Sequence, residues 1–215
     1  MQVAIVVYPG FTALDVVGPY EVLGRLPDAD VVFVAEQPGS VGNDLMSLSL
    51  DVTAGLADVP HPDVVLIGGG PGQADQMSDG PLHAWLREVD RTSSWTVSVC
   101  TGSLILAAAG LLGGRRATTH WLAMEELPRL GVAPVNERVV FDGHYATAAG
   151  VSAGIDLALT LAGLLADDVT AQMVQLIIEY APRPPYDAGS VATAPAAVID
   201  RAINRLAAPS PASGT

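Results

Sequence analysis

Four short runs rich in valine and isoleucine set the limits on how this chain can fold. They are QVAIVVY at 2–8, VVFVA at 31–35, DVVLI at 63–67 and WTVSV at 95–99. None alternates cleanly between apolar and polar residues, so each reads as a strand covered on both faces. Stretches of helical character lie between and after them, around 13–25, 80–92, 101–112, 121–130, 151–166, 168–180 and 194–207. Strand alternating with helix predicts an α/β fold: a mostly parallel central sheet with helices on both faces, a flavodoxin-like three-layer sandwich. Two segments break the rhythm. Residues 45–53 (LMSLSLDVT) alternate in polarity and suggest a small hairpin or edge strand, and Asp142-Gly143 within 138–149 is a hairpin turn signal. Three prolines forbid helix over 182–190, which is expected to be an ordered crossing loop before a last helix. Residues 1–208 are expected to form one domain and 209–215 a disordered tail.

Composition removes whole classes of chemistry. All ten basic residues are arginines, so there is no P-loop lysine, Schiff-base lysine or lysine general base. The single cysteine excludes an internal disulfide, a CxxC redox pair and any multi-cysteine zinc or iron–sulfur site. A formal net charge of −13 is unsuited to a nucleic-acid partner. The opening MQVAIVVYPGF has no basic segment of the secretory kind, and no stretch offers the roughly 20 apolar residues of a membrane span. The expectation is a cytoplasmic protein without nucleic-acid or membrane partners, its lone thiol kept reduced.

In an open parallel sheet, ligands bind beyond the carboxyl ends of the strands. That rule selects Pro9–Asp15, Gly68–Gly72 (GGGPG) and Cys100–Ser103. Cys100 stands between a strand and an alanine- and leucine-rich helix, the layout of a nucleophile elbow, and a helix N-terminus favours thiolate. The alternative is a buried structural cysteine. Asp15 is either an acid or base beside that thiol or the acid of a T-x-x-D capping box with Thr12; Glu21 is a weaker candidate. The GGGPG loop fits no dinucleotide fingerprint, and is either a donor of free N–H groups to an oxyanion hole or a plain tight turn. His61 and His83 read as surface residues, His144 adjoins a hairpin turn, and none of the histidines has metal-ligand spacing. His120, in ATTHW, opens a helix near the third loop, in a structural or a substrate-binding role.

SVCTGSLILAAAGLLGGRRATTHW at 98–121, LDVVGPYEVL at 14–23 and IGGGPG at 67–72 resemble the PfpI-like, class I glutamine amidotransferase-like superfamily. AGIDLALTLAGLL (153–165), VQLIIEYAPRPPYDAGS (174–190) and TAPAAV (193–198) are similar to its isocyanide hydratase branch, so the resemblance spans nearly the whole chain. It implies a cofactor-free, metal-free homodimer of the carbon–nitrogen lyase class that hydrates a small isocyanide, R–N≡C, to an N-formamide. Cys100 matches the nucleophile, which forms a thioimidate, and Asp15 the proton donor and acceptor. The backbone N–H groups of Thr101 and Gly70 match the oxyanion-hole positions, with His120 beside them. PfpI-type proteases carry histidine after the nucleophile, whereas this chain has Thr101, so protease or amidase activity is not expected. The competing reading is a ligand sensor related to the sensing half of AraC-type regulators, or a thiol redox sensor built on Cys100. A regulator needs a helix-turn-helix region, and about 25 residues with two arginines follow Ser190.

Overall fold

In the computed structural model, which describes residues 1–207, each of the four apolar runs forms a strand. The expected tail at 209–215 lies outside the described residues. The strands are β1 Gln2–Val6, β2 Asp30–Ala35, β3 Gly39–Gly42, β4 Ser49–Val52, β5 Ala54–Gly55, β6 Val64–Ile67, β7 Trp95–Val99, β8 Arg116–Ala117, β9 Ala133–Pro134, β10 Val139–Asp142 and β11 Tyr145–Ala148. The helices are α1 Ala13–Leu23, α2 Pro81–Val89, α3 Gly102–Ala108, α4 Glu126–Arg129, α5 Ala153–Leu165, α6 Asp168–Ile177 and α7 Ala196–Ala207. By internal contacts the chain divides into two compact units, Met1–Glu179 and Tyr180 onward.

The first unit is built on a seven-stranded sheet in the order β10-β11-β7-β6-β1-β2-β5. Every pairing in it is parallel except β10 with β11. All four residues of β6 and of β11 are buried, as strands sandwiched between helices require. On the helical layers, α1 packs against α5 and α5 against α6, while α2 packs against α3. Ile5, Leu66, Ile67, Ile105, Leu157 and Leu161 are fully buried. Each such side chain contributes about 1.5–3 kcal/mol by leaving water.

The register positions the site. Val6 pairs with Ile67, and Ile67 with Ser98, so β1, β6 and β7 end side by side. The loops selected from the sequence therefore emerge together.

Four details depart from expectation. The alternating segment 45–53 is only half strand: Ser49–Val52 pairs antiparallel with Gly39–Gly42, and Leu45 and Met46 lie exposed in the turn. The helix expected at 121–130 is a 3-10 turn at Trp121–Ala123 followed by the single turn of α4, because Pro128 has no N–H to extend the ladder. Helix α3 stops at Ala108, and Gly110 takes φ +84°, a left-handed stop. His83 is buried rather than on the surface, with Nε2 2.8 Å from the Gln76 carbonyl. The apolar face of α2 is broad enough to carry it inward beside Leu82 and Leu86. The 143 turn is as expected, with Gly143 at φ +65° between β10 and β11.

In the second unit, 182–190 carries no helix, and α7 follows with an alternation of apolar and charged residues. Among the described residues, no helix is long and apolar enough to cross a membrane.

Candidate active site

Cys100 takes φ +58°, a left-handed conformation that a side-chain-bearing residue rarely adopts. The strain is held by hydrogen bonds on both sides of the residue. Its N–H donates to Ala148 O (2.9 Å), and its carbonyl accepts from Thr119 Oγ1 (3.0 Å) and Ser103 Oγ (3.2 Å). The chain thus turns sharply from β7 into α3 with the thiol at the crest. Gly150 backs the sulfur so closely that a Cβ there would lie 3.1 Å from Sγ.

Asp15 sits opposite, fully buried in the first turn of α1. The capping box with Thr12 does not form. Thr12 Oγ1 donates instead to Asp44 Oδ2 (2.8 Å), and the Thr12 N–H goes to the Gly69 carbonyl (2.8 Å). An aspartate is one methylene shorter than the glutamate that usually closes such a box. Its Oδ2 accepts the Gly69 N–H at 2.9 Å. Gly69 therefore serves both groups that a capping box would have paired with each other. Only glycine fits there, since a Cβ would run into Thr101 N and Oγ1.

The other carboxyl oxygen, Oδ1, is buried without a geometric hydrogen bond of its own, and the carboxyl interacts with the Cys100 thiol. Burial raises the Asp15 pKa to about 7, against the lowering effect of the Gly69 N–H and the thiol; Asp44 adds to the rise. Burial and the Asp15 charge push the thiol of Cys100 well up, although the N–H and hydroxyl of Thr101 oppose the shift. Burial thus works against the thiolate that the helix terminus favours. Thiol and carboxyl titrate as a coupled pair, which can lose one proton near neutrality.

Thr101 follows the thiol. Its Oγ1 accepts from Gly70 N at 3.1 Å, so the Gly70 N–H is engaged by this hydroxyl rather than open. His120 is half-buried, which lowers its pKa, and its Nδ1 accepts from Leu122 N (3.4 Å) in its own turn. Its link to the elbow runs through the neighbouring Thr119. Glu21 pairs with Arg25 on the outer side of α1.

Sequence reasoning missed Tyr8 and Asp44. Tyr8 is the last residue before the first selected loop, and its hydroxyl donates to Gly68 O at 2.7 Å. Burial, Asp15 and Cys100 all hold its phenol in the protonated form. Its place at a strand end was the available signal. Asp44 lies in the β3–β4 turn, and no local pattern ties it to Thr12. A cavity of about 400 Å³, lined by Tyr8, Pro9, Gln37, Ser40, Gln76 and Leu82 among others, borders this region; Cys100 and Asp15 are not among its walls. Among the described residues, no three His, Cys, Asp or Glu side chains cluster as a metal site would need.

A mostly parallel α/β sheet with a cysteine at φ +58° on the strand-to-helix turn and a buried acid beside it defines a class of thiol-bearing sandwich proteins. The chain belongs to the DJ-1/PfpI family, whose model matches residues 1–163. It is 47% identical over 207 residues to the isonitrile hydratase of Pseudomonas putida, covering 96% of this chain and 90% of that one. A THiJ/PfpI family protein from Pseudomonas syringae has the same fold at TM-score 0.92 and 39% identity, over 96% of this chain and 86% of that one. An HTH-type transcriptional regulator of Pseudomonas aeruginosa, CdhR, shares 46% identity over 84 residues, 37% of this chain and 24% of its own.

Proposed function

We propose that this protein is an enzyme that hydrates isocyanides to N-formamides, with Cys100 as nucleophile and Asp15 as proton carrier. The observation that carries the reading is the buried Cys100–Asp15 pair, in a chain 47% identical over nearly its whole length to an isonitrile hydratase. An isocyanide carbon is electrophilic toward thiolate and basic once attacked. It needs a nucleophile and an acid side by side, which a thiol and a carboxyl of pKa about 7 supply together.

Asp15 accepts the thiol proton as Sγ attacks the terminal carbon of R–N≡C. The same proton passes from Asp15 to that carbon, giving the thioimidate R–N=CH–S–Cys100. The Asp15 carboxylate then takes a proton from water as the oxygen adds to the carbon, and hands that proton to the nitrogen. Collapse of R–NH–CH(OH)–S–Cys100 breaks the C–S bond and releases R–NH–CHO, and the hydroxyl proton returns to the pair. The sum is R–NC plus H₂O giving R–NHCHO, and no external redox partner enters. Thr101, its hydroxyl backed by the Gly70 N–H, lies beside the sulfur to stabilise charge that develops there. His120 contributes to the substrate wall through its turn. The scheme uses a small-molecule substrate and no cofactor.

The experiment is incubation of the purified protein with alkyl and aryl isocyanides, following the formyl proton of the product by NMR. Formamide that appears with the parent and not with Cys100→Ala supports the reading, and a panel without turnover removes it.

A further inference from the structure

We infer that Tyr8 is a positioning residue for the Cys100–Asp15 pair, acting through the one peptide group that joins Gly68 to Gly69. The Tyr8 hydroxyl donates to the carbonyl of that peptide at 2.7 Å, and the N–H of the same peptide donates to Asp15 Oδ2 at 2.9 Å. Phenol and carboxyl thus hold opposite ends of a single planar unit.

Two consequences follow from this geometry. A hydrogen bond accepted by the carbonyl polarises the peptide and strengthens donation from its N–H. The peptide also lies in a run of three glycines, where backbone rotation meets little steric resistance. Were it to turn over, the carbonyl oxygen would face the carboxyl, and two acceptors would meet. Tyr8 opposes that rotation from one side. Gly102 packs against the carbonyl from another, since a Cβ there would be 2.9 Å from Gly68 O. Tyr8 is only 4% exposed, and its bond to Gly68 O is buried.

The inference rests on Asp15 being the proton carrier of the proposed reaction. The ionisable groups acting on Asp15 are the Cys100 thiol and Asp44, with the Tyr8 phenol close by and neutral. Removing the phenol hydroxyl weakens the donor that favours carboxylate, so the pair must hold its proton to higher pH.

The test uses the chain's one cysteine. Protein labelled with carbon-13 at cysteine Cβ gives a single resonance, whose shift against pH follows the ionisation of the pair without isocyanide or any thiol reagent. In the parent the inflection is expected at about 7. In Tyr8→Phe, which keeps the ring, it is expected to move up by about half a unit or more, equivalent to a roughly threefold change in the ionisation constant. A second measurement starts from the parent sequence. Replacing all five tyrosines with 3-fluorotyrosine makes the phenol a stronger donor and moves the parent inflection down. In Tyr8→Phe the same replacement leaves it still. An unchanged inflection in Tyr8→Phe, or a fluorotyrosine shift that persists in that variant, overturns the inference. Because the resonance needs no substrate, a failed hydration assay and a failed Tyr8 effect are told apart.

Discussion

Asp15 Oδ2 accepts the N–H of Gly69 at 2.9 Å, a contact made across 54 residues of sequence. It takes the carboxyl away from its own helix terminus and turns it toward the thiol. Asp15 is free to partner Cys100 because the Gly69 carbonyl accepts the Thr12 N–H that a capping box would have given the carboxyl.

If Cys100 carries the covalent step, Cys100→Ala and Cys100→Ser both lose at least about 10³-fold in formamide production. Stopped-flow or NMR rates with one aryl isocyanide check this. Circular dichroism confirms that the variants are folded.

Asp15→Asn keeps an acceptor for the Gly69 N–H but cannot carry the proton. Its kcat is expected to fall by about 10²–10⁴-fold, within the range of general acid–base catalysis. A rate equal to the parent's would mean that Asp15 is structural only.

The same substitution has a stability signature. The folded-state pKa of Asp15 is raised to about 7 from an ordinary 3.8, so the folded protein binds this proton more tightly than the unfolded chain. The parent's stability from this group is fully present below about pH 4 and is lost as pH rises through about 7. Denaturant titrations should therefore show Asp15→Asn gaining on the parent from pH 4 to 7, then holding level. The total gain is on the order of 4 kcal/mol. A gap that does not vary with pH would refute the raised pKa.

Thr101→Val removes the hydroxyl that accepts the Gly70 N–H and leaves that donor unpaired. The expected cost is about 1–3 kcal/mol in chemical denaturation, with slower turnover, and Thr101→Ser should recover most of both.

The pH dependence of kcat/KM follows from the pair. Its singly deprotonated form contains the nucleophile and the acid together, so the rate should rise with an inflection at about 7 and then level off. Profiles taken in constant-ionic-strength buffers read this directly. A rate falling through neutrality would reverse the assigned roles.

Much of the architecture was legible from local pattern. Valine-rich runs without alternation identified β1, β2, β6 and β7, and the rule of strand ends selected the loops that hold Asp15, Gly69 and Cys100. Residue type and spacing determine strand or helix through short-range sterics and through which faces must leave water. What they could not determine was which groups meet. His83 looked exposed because its helix reads as amphipathic, yet it points into the protein. Thr12 and Asp15 matched a capping box, yet each found a better partner from a distant loop. Tyr8 and Gly68 are 60 residues apart, and no local signal joins them. The protonation of the site was also decided by the fold. A cysteine before a helix suggests a thiolate, and burial beside Asp15 opposes it, because desolvation is a property of the assembled surroundings and not of the sequence near the residue. The sequence by itself determined the sheet, the turn and the single thiol. Tertiary structure decided which groups share the proton.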